Sequence, residues 1–150
     1  MELLKAICDV ASKSCGREVR LMLEEFPPDT VTGLWLDLGD HHLIVVEANT
    51  SPLHQLVILG HELWHLKEGH CGHGDGFGVQ AAARMLGDRW SLSEAVTYVA
   101  ARTGPDVEEE RRAEEFGRML ADRFRPYLGR GHALTPSAGV AGRIWASLRG

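Results

Sequence analysis

The chain is poor in the features that mark several large protein classes. It has three cysteines in 150 residues, Cys8, Cys15 and Cys71. Their number is odd and their spacing unpaired, which argues against a disulfide framework and fits a reducing, cytoplasmic setting. No apolar run approaches the roughly 18–20 residues of a membrane-spanning helix, so no membrane association is expected. The opening Met1-Glu2-Leu3-Leu4-Lys5 does not read as a secretory signal. Positive charge is scarce as well: 16 Lys and Arg stand against 21 Asp and Glu, a net charge of −5. No basic stripe rises above that background, so no direct nucleic-acid contact is expected. What is present is 44% hydrophobic, the composition of one globular domain able to bury a core.

The order of elements follows from periodicity. Leu3, Leu4, Ile7, Val10 and Ala11 have helical spacing and predict an amphipathic helix over 2–14, ending near Gly16. Val19, Leu21 and Leu23 alternate with polar or long side chains and predict a half-buried strand. Pro27-Pro28-Asp29 interrupts the chain. A second strand over 31–38 and a third over 43–47, joined at Gly39-Asp40, resemble a hairpin. Asn49-Thr50-Ser51-Pro52 supplies a helix start, and a helix over about 53–69 carries Leu56, Val57, Leu59, Leu63 and Leu66. Cys71 to Gly78 is glycine-rich. Ser91-Leu92-Ser93-Glu94 matches a capping box and opens a helix to about Arg102. Val107 to about Leu128 is the longest helical stretch, with Ala113, Phe116, Leu120 and Phe124 on one side. A short helix is expected around 140–148. There is no internal repeat.

Within the helix over 53–69 stands His61-Glu62-Leu63-Trp64-His65, an H-E-x-x-H pattern. Four helical residues turn about 400°, so the two imidazoles share a face and suit two ligands of one tetrahedral zinc ion. Glu62 lies about 100° away and can reach a water beside the metal without being a ligand. The pattern names metal-assisted peptide hydrolysis as the reaction class. A catalytic zinc site needs a third protein ligand. Cys71 stands where one group of peptidases has a histidine, and a glutamate from a later helix is the other solution. Glu110 and Glu114 share a helix face with Ala113 and Gly117, whose small side chains permit close approach to the motif helix. Glu110 can bind the metal and Glu114 can accept the second N–H of a ligating histidine. The plainer alternative makes Glu108 to Arg112 a solvated, charged first turn that suits the helix dipole.

Gly60 to His70, reading G-H-E-L-W-H-L-K-E-G-H, resembles the H-E-L-G-H-x-x-x-G-H segment of the ImmA/IrrE metallopeptidases. Glu110 to Gly117, reading E-R-R-A-E-E-F-G, is similar to that family's E-x-x-A-[ND]-x-F-A segment. The resemblance covers roughly residues 1–128. It implies an α+β, zincin-like metallopeptidase domain: an N-terminal helix, a short three-stranded antiparallel or mixed sheet, the motif helix, and a later glutamate-bearing helix packed against it. A helical insertion at about 76–104 interrupts that domain, and 129–150 extend it. It also implies a gluzincin site with Zn²⁺ held by His61, His65 and Glu110, Glu62 as general base, and Glu114 as an orienting contact. Trp64 replaces a small residue of the family pattern, and Glu114 replaces Asn or Asp.

The implied activity is cleavage of a partner protein by an intracellular zinc endopeptidase. The expected partner is a separate helix-turn-helix repressor, in a regulatory, stress-response or toxin–antitoxin setting. The alternatives are a non-catalytic binding module that keeps the peptidase shell, and a SprT-like protease acting on DNA-bound proteins. The absence of a basic patch weighs against the latter. Tyr98 and His132 are candidate oxyanion donors. His54 is a candidate to line the cleft. His70, Cys71 and His73 are an alternative second metal set. His41 and His42 are expected to be exposed at the hairpin, and Trp35, Trp90 and Trp145 to pack.

Overall fold

A computed structural model describes residues 1–71 and 107–128. Helix α1 (Glu2–Cys15) comes first, then strands β1 (Glu18–Glu24), β2 (Gly33–Asp37) and β3 (His41–Glu47). Helices α2 (Pro52–Cys71) and α3 (Val107–Phe124) follow, and a single 3₁₀ turn at Arg125–Tyr127 ends the described chain. The architecture is α+β: three helices and one small mixed sheet among the described residues. None of those helices is long and apolar enough to cross a membrane. The expected insertion at 76–104, its helix over 92–102, the extension 129–150, and Tyr98, His132, His73, Trp90 and Trp145 lie outside the described residues.

Helix α1 buries Leu3, Leu4, Ile7, Cys8 and Ala11, the stripe set by its periodicity. Gly16 ends it in the left-handed region at φ 76, its N–H donating to Ser12 O. Ser12 then ties the helix to the sheet, because its Oγ accepts the Val19 N–H at 2.8 Å.

The strand order is β1-β3-β2, with β3 parallel to β1 and antiparallel to β2. Local sequence announces the β2–β3 hairpin but not the parallel pair, which depends on β3 returning between its predecessors. As the central strand, β3 buries His42 to Val46 without a break, so it reads as a continuous apolar run rather than an alternation. Ile44 and Val46 join the core beneath the helices, while Leu43 and Val45 join Leu34, Leu36 and Phe26 on the other face.

His42 corrects an expectation. It is fully buried, not exposed at the hairpin, and His41 is only partly exposed. The strand begins two residues earlier than its apolar run, and His42 falls on the inward face. There its Nδ1 accepts the Trp35 Nε1–H at 3.3 Å and lies 3.9 Å from Asp37 Oδ2. Asp37 also receives two bonds from Arg17, each 2.8 Å, and the Gly39 N–H at 2.9 Å. A buried histidine is thus seated in a bonded polar network that pins the end of α1 to the hairpin.

Helix α2 starts at Ser51, whose Oγ accepts the His54 N–H at 3.2 Å. Leu56, Leu59 and Leu63 are fully buried and Leu66 nearly so. Each such leucine is worth about 1.5–3 kcal/mol of burial, so α2 is anchored along its length. One side of it sits in the core through Leu56, Leu59, Leu63 and Leu66, while Val57 and Gly60 meet α3 and Ile58 and Glu62 meet β2.

Burial would raise the Asp37 carboxyl, but the Arg17 guanidinium, the Gly39 N–H and the nearby His42 together bring it down to about 2. A folded-state value below the ordinary 3.8 stabilises the fold above about pH 4, and that contribution is lost as pH falls toward 2. It amounts to about 2 kcal/mol at neutral pH. Asp37→Asn is expected to lower the unfolding free energy by about that much at pH 7. Denaturant titrations should show the difference from the parent shrinking between about pH 4 and pH 2.

Candidate metal centre

Two helices build the site, and two glycines bring them together. Gly60 on α2 lies against Gly117 on α3: a Cβ at Gly60 would stand 2.7 Å from Gly117 Cα. A Cβ at Gly117 would collide with the Val57 carbonyl oxygen and stand 3.2 Å from the His61 nitrogen. Bare backbone on both sides is therefore required. Ala113, Phe116, Leu120 and Phe124 fill the rest of the α3 interface and are all buried, as the apolar spacing predicted. Trp64, the large residue of the motif, is accommodated by Phe116, with ring centroids 5.6 Å apart and Lys67 Nζ 5.0 Å over the indole.

The crossing sets Glu110, two turns before Gly117, beside the histidine pair. His61 Nε2 and His65 Nε2 are 3.0 Å apart. Glu110 Oε2 is 3.4 Å from His61 Nε2, and Glu110 Oε1 is 3.4 Å from His65 Nε2. His61, His65 and Glu110 form the metal-competent cluster found among the described residues, with all ligand atoms within 4.8 Å of one another. The spacing tests the fit to zinc. Bonds of about 2.0–2.1 Å to a tetrahedral ion place neighbouring ligand atoms about 3.3–3.4 Å apart, close to the distances here. Two imidazole nitrogens this near each other also need a shared proton or a shared cation between their lone pairs. The donor set therefore fits a metal ion of the zinc type.

Burial, reinforced by the charge of His65, lowers the His61 pKa against the opposing pull of Glu110 and Glu114. That favours the neutral imidazole a metal requires. Glu109 is the carboxylate within hydrogen-bonding reach of a ligand imidazole's outer nitrogen, while Glu114 acts on His61 through its charge. Glu114 pairs with Arg118 at 2.7 Å and stands at the rim of the cleft. Glu109 Oε1 instead lies 3.3 Å from His65 Nδ1. A proton on Nδ1 shared with that carboxylate leaves the Nε2 lone pair facing Glu110. Glu109 was hidden in the charged run Glu108 to Arg112, and only the helix phase beside its neighbour Glu110 marks it. Neither the plain solvated-turn reading nor the functional one is complete. Glu108 pairs with Arg111 and Arg112 as a surface turn would, while Glu109 and Glu110 turn to the histidines.

Glu62 is almost wholly buried, 9% exposed, next to this cluster. Burial first, and the Glu110 charge second, push its carboxyl up to about 8, partly offset by the Trp35 backbone N–H. That donor comes from the edge of the sheet. Thr32 O accepts from Glu47 N, and Leu38 N donates to His41 O. Even-numbered β2 residues therefore pair with β3, and Gly33 and Trp35 turn their backbone groups outward.

Two cavities flank His61 and Glu62. The larger, about 550 Å³, is lined by Val31, Thr32, Gly33, His54, Val57, Ile58, Glu114 and Arg118. The smaller, about 290 Å³, is lined by Leu34, Trp35, His65, Gly69, Glu109 and Glu110. His54 thus lines the cleft, as its position before the motif suggested. Trp35 packs and also walls the smaller cavity, against Gly69, where a Cβ would meet the indole at 2.6 Å. The side chains of His70 and Cys71 lie outside the described residues. No family model, curated protein or solved structure matches the chain.

Replacing glycine by alanine in a free helix stabilises it by about 1 kcal/mol. Gly117→Ala is expected to do the reverse, destabilising by about 1–3 kcal/mol through overpacking. The parting of α2 and α3 should also weaken zinc affinity at least about tenfold, measured by competition with a chromophoric chelator. A stabilised variant with unchanged zinc affinity would show that the glycine contact does not set the site.

Proposed function

We propose that this protein is a zinc-dependent endopeptidase of the zincin type, related to the ImmA/IrrE metallopeptidases. Its proposed substrate is a separate cytoplasmic protein, with a helix-turn-helix repressor as the expected class. The observation that carries the reading is the convergence of His61, His65 and Glu110 on one point, with the buried Glu62 carboxyl beside them.

Zinc held by His61, His65 and Glu110 supplies Lewis acidity and lowers the pKa of an adjacent water toward about 7. The chain's own groups do the rest. Glu62 takes a proton from the attacking water on its carboxylate and passes it to the leaving amine nitrogen. Its near-complete burial directly beside the cluster keeps the carboxylate within reach of that water and away from bulk solvent. Glu109 keeps the His65 ring in the orientation that presents Nε2. The outward N–H and C=O of Gly33 can pair with an extended substrate backbone. The two cavities then receive side chains on either side of the scissile bond, the larger offering Val31, Val57 and Ile58 as apolar walls.

Glu62→Gln is expected to keep about one zinc per chain and lose at least about 100-fold in cleavage of a helix-turn-helix repressor encoded beside this protein. Gel assays of the zinc-loaded proteins measure this. Equal cleavage by parent and variant would remove Glu62 from its role. No cleavage by either would favour the binding-module alternative.

A further inference from the structure

The cleft narrows where β2 passes α2. Val31, Gly33, His61 and Glu62 line both cavities, so the two meet at this waist. Glycine is a poor strand residue and in a strand often marks a close approach. Gly33 is absent from the positive-φ residues, which include Gly16 and Gly39, so its backbone does not call for glycine. Its surroundings do. A Cβ at position 33 would stand 2.5 Å from Glu62 Oε1, 3.2 Å from Glu62 Cδ and 2.5 Å from Ile58 Cγ2.

The Glu62 carboxylate can yield only by turning into the cavities that it lines. It is buried, and it faces the outward backbone N–H of Trp35, two residues along the same strand, on one side and the Glu110 charge on the other. A methyl group at 33 would push it away from that N–H. We propose that Gly33 is a positioning residue for Glu62: its missing side chain is the space in which the carboxylate is held beside His61. The proposal rests on Glu62 as the proton carrier, and it adds the element that aims it. The same strand then turns a backbone N–H toward the carboxylate and leaves the gap that admits it.

The test separates this role from plain packing. Gly33→Ala alone meets both Ile58 and Glu62. Ile58→Ala removes the first clash, and in Gly33→Ala/Ile58→Ala the new methyl refills space left by Ile58 while still meeting Glu62 Oε1. Crystal structures, zinc content and hydrolysis of fluorescein-labelled unfolded casein are compared for the parent, Ile58→Ala and the double variant. The expected double variant is folded, holds as much zinc as Ile58→Ala, and has its Glu62 carboxylate turned away from the Trp35 N–H. Its kcat should fall about 100-fold below that of Ile58→Ala, the scale of lost acid–base catalysis, with KM within about threefold, because chemistry rather than binding is lost. A carboxylate in its original place, or a kcat equal to that of Ile58→Ala, would overturn the proposal. Failure of the parent to hydrolyse casein would count against the peptidase reading, while the crystallographic position of Glu62 would still decide the role of Gly33.

Discussion

The site depends on a contact of backbone with backbone, where Gly60 of α2 meets Gly117 of α3. A helix pair with ordinary side chains at the crossing keeps its axes about 8–10 Å apart. Removing both side chains draws the helices together, and the consequence is felt two turns away. Glu110 arrives within 3.4 Å of both imidazole nitrogens. Glu109, one residue earlier, reaches the other nitrogen of His65. The sheet has a parallel duty. Its edge strand presses on the opposite flank of α2, where Gly33 and the Trp35 N–H receive the Glu62 carboxylate. The motif helix is thus held between two close contacts, one aligning the ligands and the other the acid–base group.

This division explains why the site tolerates so much charge. Three carboxylates, of Glu62, Glu109 and Glu110, surround two histidines. Without a cation that arrangement is costly, and the upward push on Glu62 records part of the cost. Positive charge at the point where His61, His65 and Glu110 converge would relieve it. The surrounding fold supplies rigidity to hold the cluster: fully buried leucines on α2, a buried central strand, and the Arg17–Asp37–His42–Trp35 chain of contacts running from α1 toward the smaller cavity.

Much of this was legible in the amino-acid order. The ends of α1, the β2–β3 hairpin and the extent of α2 follow from periodicity, a glycine cap and a serine start, all local signals. Glu110 was found because two histidines demand a third ligand and because Ala113 and Gly117 permit close approach. The remainder is non-local. The central place of β3 depends on a parallel pairing that no short segment encodes. His42 looked like a turn residue because the strand starts ahead of its apolar run. Glu109 and Glu114 could not be distinguished as partners of a histidine ring, since the choice turns on the rotation of α3 about its axis. Gly33 carried the general signal of a strand glycine, but what it makes room for is visible only once α2 is in place. The proposed zincin identity and repressor substrate rest on motif resemblance, and the geometry of the cluster bears on the metal centre alone.

X-ray absorption at the zinc edge of the metal-loaded protein tests the central claim most directly. One zinc per chain should show about four nitrogen or oxygen neighbours at about 2.0–2.2 Å, with outer-sphere scattering from two imidazoles. A sulfur neighbour at about 2.3 Å, or a signal with no imidazole scattering, would contradict a centre built from His61, His65 and Glu110.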